Sequence, residues 1–155
     1  MGQRIELRAP LVVQFSGWCT MSQSLHGCRI LLVEDDYLIA DDFVRRLHTA
    51  GAEVVGPAAT LEGAMALYES SGMMDFVILD INLRGTAVFP FAARLRQDGV
   101  PFLFCTGYGD DVIDDSFKDV GRFEKPISQH GFARMVDLIS RQNIAREQPR
   151  RHFPM

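Results

Sequence analysis

Between residues 28 and 142, short apolar runs alternate with stretches in which apolar residues recur every three or four positions. The first run, Arg29–Val33, is unbroken and ends in acidic residues, which is typical of a strand that is covered on both faces. The next stretch carries Ile39, Phe43 and Leu47 at helical spacing. This alternation predicts a parallel sheet with helices on both faces, because each crossover has to pack back onto the sheet.

The complete pattern predicts an α/β fold with a doubly wound, five-stranded parallel sheet. The further strands are predicted at 53–58, 76–79, 101–105 and 122–124. Thr60 and Ser128 are expected to cap two helices, and Pro90 is compatible only with the first turn of another. The stretch 110–119 is acidic and weakly periodic, so the fourth helix is expected to be short or frayed.

The 155 residues are enough for one domain, which we expect to span residues 28–142. Residues 143–155 are expected to form a C-terminal tail. Residues 1–27 do not continue the alternation and are interpreted as a flexible N-terminal extension. The alternative is an added strand at 11–15 that covers one edge of the sheet.

Net charge, the length of apolar runs and the cysteines indicate which kinds of partner the chain binds and in which compartment it works. The net charge of −4 argues against nucleic-acid binding, and the arginines of the short tail are expected to be solvated. No apolar run approaches the roughly 18 residues that a membrane-spanning helix needs. Cys19, Cys28 and Cys105 form an odd set without paired spacing, which is typical of free thiols. The sequence therefore predicts a cytoplasmic protein that binds neither nucleic acid nor membrane.

Polar residues lie where the predicted strands end. Glu34 and Asp35 follow the first strand, Asp80 ends the third, Thr106 follows the fourth and Lys125 follows the fifth. Because ligands of open parallel sheets bind beyond the carboxyl ends of the strands, these side chains are expected to share one crevice.

These residue types suit one kind of chemistry. Carboxylates that are pressed together repel one another unless one is protonated or a cation neutralises them. Mg²⁺ prefers such oxygen ligands, together with waters and a phosphate. Asp80 would then be a nucleophile able to form an acyl phosphate, and Thr106 and Lys125 would supply a hydroxyl and a positive charge to the phosphoryl oxygens. The combination is typical of phosphoryl transfer.

Each of these residues also has a purely structural interpretation. Asp35 or Asp36 could cap the first helix, and Asp80 could open an Asx turn. Thr106 and Lys125 could belong to ordinary loops. Four such coincidences at four strand ends would be required, so the pattern favours phosphoryl transfer.

The sequence reads RILLVEDD at 29–36, VILDINLRG at 77–85, FCTGYG at 104–109 and FEKP at 123–126. As an ordered set these stretches resemble the receiver domain of bacterial two-component response regulators. The resemblance implies a flavodoxin-like receiver fold and phosphorylation of Asp80 by a histidine kinase or a histidine phosphotransfer protein. It also implies a cis peptide bond between Lys125 and Pro126. The residues of the implied site are these. Mg²⁺ would be bound by Asp35, Asp80 and the main-chain carbonyl of Asn82, with Glu34 assisting, and the phosphoryl group would be held by Thr106 and Lys125.

The FCTGYG stretch is similar to the motif of a subgroup of single-domain regulators called FATGUY, with Cys105 in place of alanine. That similarity implies HWE-type histidine kinases as donors. Receivers usually carry Tyr or Phe as a switch residue three positions before the lysine, where this chain has Arg122. Tyr108 and Phe123 are the available substitutes. Tyr108 is the predicted one because it lies two residues past Thr106, whereas Phe123 is expected in the core.

We therefore expect a phosphoacceptor that signals by protein contacts in a phosphorelay, and not an enzyme with a separate substrate. The output partner is unknown, and the expected surface for it comprises the fourth strand, residues 110–119 and the last helix. Two alternatives stay open. One is a degenerate receiver that binds partners without phosphorylation. The other is a phosphatase of the haloacid dehalogenase class, which would need an aspartate where this chain has Asn82.

Overall fold

The computed structural model describes residues 24–107 and 113–147. The strands of the main sheet are β1 (Arg29–Val33), β2 (Glu53–Ala58), β3 (Phe76–Asp80), β6 (Phe102–Thr106) and β7 (Arg122–Glu124). They are parallel and lie in the order β2-β1-β3-β6-β7. The two strands between β3 and β6, β4 (Asn82–Leu83) and β5 (Thr86–Ala87), form a separate small sheet. The helices are α1 (Tyr37–Thr49), α2 (Leu61–Ser70), α3 (Phe89–Gln97) and α4 (Gln129–Glu147). The predicted doubly wound, five-stranded parallel sheet is confirmed.

Apolar residues fill a core on each face of this sheet. Leu31 and Val77 pack with α2 and α3, whereas Ile30 and Ile78 pack with α1 and α4. Successive strand residues point to opposite faces, so a strand that is buried on both sides needs an apolar residue at every position. This requirement explains the unbroken apolar runs.

Side-chain caps begin three of the four helices, α1, α2 and α4, whereas α3 begins without one. Asp36 is the N-cap of α1, where its Oδ1 accepts the N–H groups of Leu38 at 2.9 Å and Ile39 at 3.2 Å. The hydroxyls of Thr60 and Ser128 each accept an N–H group three residues later, at the starts of α2 and α4. These local bonds satisfy donors that have no partner within the helix.

The crossover between β6 and β7 is the least regular part of the fold that the structure describes. Residues 113–121 contain a single 3-10 turn, Asp115–Phe117, in place of a full helix. The ring of Phe117 stacks on Phe89 with centroids 5.6 Å apart, and Arg96 donates two hydrogen bonds to Asp119. The prediction that the helix between the fourth and fifth strands of the main sheet is short is confirmed, although residues 110–112 lie outside the described ranges.

Packing extends past both predicted limits of the domain. Leu25 is 1% exposed and donates its N–H to the carbonyl of Ala50 at 2.8 Å, and α4 continues to Glu147. One isolated leucine carries no periodic signal, which is why the sequence pattern alone did not include it. Residues 1–23 and 148–155, and with them the alternative strand at 11–15, lie outside the described residues.

Two cysteines of the described residues, Cys28 and Cys105, are buried. Cys19 lies outside the described residues. None of the helices in the described ranges is both long enough and apolar enough to cross a membrane.

Candidate acidic metal site at the carboxyl edge of the sheet

Two neighbouring strands, β1 and β3, bring acidic residues together where they end. Val33 pairs with Leu79 in the parallel register, so the next residues, Glu34 and Asp80, are also neighbours. Glu34 and Asp80 are each only 3% exposed. Burying two carboxylates side by side costs free energy unless a charge or a proton compensates.

Lys125 is the buried counter-ion of this pair. Its Nζ lies 3.0 Å from Glu34 Oε2 and 3.1 Å from Asp80 Oδ2, and its side chain is 12% exposed. The N–H of Lys125 also donates to the carbonyl of Thr106 at 2.7 Å, which holds the end of β7 against β6. Burial acts against the charged ammonium, but the hydrogen bonds and charges of Glu34 and Asp80 outweigh it and raise the pKa of Lys125.

Lys125 alone does not neutralise the acidic cluster, which consists of Glu34, Asp35 and Asp80. Burial first, and then the charge of Glu34, raise the pKa of Asp80 to about 7, against the opposing effect of Lys125. Asp35 is partly exposed, and one oxygen of each of Glu34, Asp35 and Asp80 lies within 4.8 Å of the other two. Three converging carboxylates with excess negative charge suit a hard divalent cation, so the residues present fit Mg²⁺.

The raised pKa of Asp80 predicts how stability depends on pH without metal. Between the ordinary value of 3.8 and the folded value of about 7, the folded protein keeps a proton that the unfolded chain releases. Stability that this group contributes at low pH is therefore lost as the pH rises through about 7. Asp80→Asn should remove this loss and make the metal-free protein more stable at pH 8, by about 1–3 kcal/mol.

Urea unfolding in EDTA at pH 5 and pH 8 measures this effect. Asp41→Asn, which changes a largely exposed carboxylate on α1, is the control and should leave the pH dependence unchanged. An Asp80→Asn protein that is less stable than the wild type at pH 8 would show that the pocket carries no excess of negative charge.

A small hairpin that follows β3 holds two of the carboxylates. It consists of β4 (Asn82–Leu83) and β5 (Thr86–Ala87). The N–H of Asn82 donates to Asp80 Oδ1 at 3.2 Å, and the N–H of Arg84 donates to Asp35 Oδ2 at 3.0 Å. The sequence analysis missed this hairpin. Its signal was the pair Arg84-Gly85, because a two-residue hairpin turn requires positive φ and glycine supplies it readily.

The helix cap and the Asx turn considered as purely structural roles are both present, and the acidic cluster forms beside them. Asp36, and not Asp35, caps α1, which leaves the carboxylate of Asp35 in the acidic cluster. Asp80 makes the contact of an Asx turn through Oδ1, while its Oδ2 lies beside Lys125. Different oxygens of one carboxylate therefore serve the turn and the pocket.

Two further residues considered in the sequence analysis lie on the strands β6 and β7. Thr106 is the last residue of β6, one step past Cys105, which pairs with Asp80 in the register. Arg122 is exposed at the start of β7. Tyr108 lies outside the described residues, so its role as a switch stays a prediction.

Two further features of the site follow from local structure. The bond between Lys125 and Pro126 is cis, as the resemblance implied. Burial raises the pKa of the Cys105 thiol far above its ordinary value, so this side chain is an uncharged core residue beside Asp80 and not a reactive thiolate.

Comparisons with known proteins agree with this geometry. The family model of the response regulator receiver domain matches residues 30–136. SdrG from Sphingomonas melonis Fr1 is 38% identical and superposes with a TM-score of 0.64 over 72% of this chain and 96% of SdrG. A structure of the BeF3-activated conformation of SdrG, from Pseudomonas melonis Fr1, is 38% identical with a TM-score of 0.62, over 72% of this chain and 95% of that one.

A more distant structure supports the fold alone. It is the N-terminal domain of a response regulator/sensory box/GGDEF protein from Carboxydothermus hydrogenoformans, which is 24% identical with a TM-score of 0.66 over 76% of this chain and 98% of that domain. No curated protein matched the sequence. Because the family match runs from the first strand of the sheet into its last helix, and the acidic pocket lies inside it, this chain belongs to the response regulator receiver domain family.

Proposed function

We propose that this receiver accepts a phosphoryl group on Asp80 and signals as a single-domain regulator through protein contacts in a phosphorelay. The donor is a phosphohistidine of a histidine kinase, of the HWE type on the strength of the FCTGYG stretch, or of a histidine phosphotransfer protein. The observation that carries the proposal is the buried pocket in which Asp80 lies 3.1 Å from Lys125 and close to Glu34 and Asp35.

The reaction transfers one phosphoryl group between two side chains. A carboxylate oxygen of Asp80 attacks the phosphorus, an O–P bond forms and the P–N bond to the donor histidine breaks. The donor imidazole leaves as a neutral ring that keeps the proton on its other nitrogen. Asp80 must be ionised to attack. Burial and the charge of Glu34 raise its pKa, and a bound Mg²⁺ would favour the ionised form. No other covalent change is required of the receiver, so positioning and charge neutralisation dominate.

The residues around Asp80 are proposed to divide this work. Lys125 supplies a buried positive charge to the phosphoryl oxygens, and the hydroxyl of Thr106 donates to them from the end of β6. Glu34, Asp35 and Asp80, with the main-chain carbonyl of Asn82, would hold Mg²⁺. The ion supplies, when bound, the charge neutralisation that phosphoryl transfer needs.

The activated conformation of SdrG supports a comparable state for this chain. SdrG is 38% identical and has been solved in a BeF3-activated conformation. Beryllofluoride mimics a phosphoryl group on a carboxylate, so a receiver that binds it with Mg²⁺ has a competent acceptor site.

We expect Mg²⁺ and beryllofluoride together to raise the melting temperature by about 5 °C, and Mg²⁺ alone to raise it less, because the pair fills a pocket with excess negative charge. Asp35→Asn should lose most of this response, since it removes one of the three converging carboxylates. Differential scanning fluorimetry measures both. Asp41→Asn, on α1 and outside the pocket, is the control and should respond as the wild type does.

The outcomes separate the competing functions. A wild type that does not respond to beryllofluoride would favour the degenerate receiver. A full response of Asp35→Asn would contradict the proposed metal site. A phosphotransfer screen against the histidine kinases of the source organism would then identify the donor.

The output partner is proposed to bind the surface expected from the sequence, which comprises β6, residues 110–119 and α4, together with the neighbouring strand β7. A groove between β7 and α4 is lined by the apolar side chains of Phe123 and Leu138 and by the charged side chains of Arg134, Asp137 and Arg141. Such a mixture of apolar and charged side chains suits a protein partner. We propose that these contacts are made in the cytoplasm.

A further inference from the structure

Arg84 has a backbone conformation that is unfavourable for an arginine. Its φ is 53°, and it is the one non-glycine residue with positive φ in the ranges that the structure describes. A side chain with a Cβ atom is strained there, whereas Gly85, with φ 86°, meets the same demand of the hairpin turn easily. A strained residue at the edge of a functional site suggests that its side chain is used.

The hydrogen bond that Arg84 makes does not explain why the residue is an arginine. Its N–H donates to Asp35 Oδ2 at 3.0 Å. Every residue except proline has this N–H group, and glycine or asparagine would present it with less strain. The guanidinium is therefore the feature that remains to be explained.

The side chain of Arg84 begins at the rim of the acidic pocket. Its Cα is bonded to a nitrogen that contacts Asp35, and the residue is exposed. Arg45, by contrast, is also exposed but pairs with Asp41 on its own helix. Among the residues that the structure describes, no carboxylate lies within ion-pair distance of the Arg84 guanidinium.

The pocket itself gives no net attraction to the group that it is proposed to receive. The carboxylates of Glu34, Asp35 and Asp80 outnumber the one ammonium of Lys125, the proposed Mg²⁺ would bring the formal charge only to zero, and a phosphoryl group is an anion. An exposed cation at the rim supplies attraction, because charges separated by less than the Debye length, about 8 Å at physiological salt, still interact. Electrostatic attraction of this kind raises the rate of capture.

We propose that Arg84 is a positioning residue that draws the anionic phosphoryl group of the donor towards Asp80. The inference rests on the proposed phosphorylation of Asp80. Arg84 acts on capture of the donor, and the chemical step stays with Asp80. With acetyl phosphate as donor, an oxygen of Asp80 attacks the phosphorus, the P–O bond to the acetyl group breaks, and acetate leaves.

The test compares phosphorylation rates of the full chain with acetyl phosphate and Mg²⁺, followed by intact-protein mass spectrometry. Arg84→Asn removes the charge and tolerates positive φ, and Arg84→Lys keeps the charge. At low ionic strength we expect the apparent second-order rate constant of Arg84→Asn to fall about 3- to 10-fold, and to come within about twofold of the wild type at 0.5 M salt. The loss should appear in KM and not in the maximal rate.

Two variants control for folding and for bulk charge. Arg84→Lys should stay within about twofold of the wild type at every salt concentration. Arg45→Gln removes one positive charge from α1, away from the hairpin, and should not change the rate. Arg84→Asn should melt at or above the wild-type temperature, because it relieves backbone strain.

Each remaining outcome decides against the proposal. An Arg84→Asn protein as fast as the wild type at low salt would overturn it, and so would an Arg84→Lys protein as slow as Arg84→Asn. A loss that is the same at all salt concentrations would indicate a structural role instead. A wild type that takes up no phosphoryl group would overturn the proposed function itself, and this result is distinct because every variant would then be unlabelled.

Discussion

Replacing Asp80 with asparagine is expected to abolish phosphorylation of this receiver. The amide has nearly the shape of the carboxylate but lacks an anionic oxygen that can attack phosphorus, so labelling by a phosphorylated histidine kinase or by acetyl phosphate should fall at least ~100-fold.

Transfer of radiolabelled phosphate, or a mobility shift on a phosphate-affinity gel, measures this loss. Asp41→Asn is the control, since it removes a carboxylate from the exposed face of α1 and should be labelled as the wild type is. Full labelling of Asp80→Asn would mean that another residue is the acceptor. The same variant is expected to gain stability without metal, so loss of labelling would not reflect loss of folding.

Replacing Lys125 with methionine is expected to have the largest effect on stability. Methionine keeps much of the length of the side chain but leaves Glu34 and Asp80 buried without their cation. Removal of one partner of a buried ion pair costs about 3–5 kcal/mol, and we expect a loss of about 3 kcal/mol here because Asp80 can take up a proton. Mg²⁺ should restore part of the loss, since it neutralises the same carboxylates.

Urea unfolding in EDTA and in Mg²⁺ measures both effects. Lys118→Met is the matched control, because Lys118 pairs with Asp115 at 2.7 Å but its side chain is 67% exposed. That variant should change stability by less than about 0.5 kcal/mol, in either buffer. Equal losses of stability for the two variants would contradict the role of Lys125 as a buried counter-ion. A Lys125→Met protein whose stability does not change with Mg²⁺ would argue against metal binding at these carboxylates.

The opposite signs expected at Asp80 and Lys125 have one cause. The pocket holds more negative than positive charge. Removing the Asp80 carboxylate therefore lowers the repulsion and stabilises the protein, whereas removing the Lys125 ammonium increases the repulsion and destabilises it. Such an imbalance favours binding of a divalent cation and, with it, of the phosphoryl group that Asp80 is proposed to accept. The same imbalance lowers the stability of the protein without metal.

The sheet and the approximate position of the site were predictable from the sequence because both depend on local patterns. An unbroken run such as Arg29–Val33 is a property of neighbouring residues, and parallel strands place their carboxyl ends at one edge whatever their exact register. The spacing of Glu34, Asp80 and Lys125 relative to their strands therefore indicated a shared crevice before any distance was known.

Distances and hydrogen-bond partners were decided only by the tertiary structure. Lys125 contacts Glu34 and Asp80 from 91 and 45 residues away in the sequence, so no local pattern records that one ammonium serves both. The bond from the N–H of Arg84 to Asp35 depends on how the hairpin after β3 meets the end of β1. Local sequence thus determined where charges accumulate, whereas long-range packing determined which of them are compensated, because electrostatic energy depends on separation and burial and not on order along the chain.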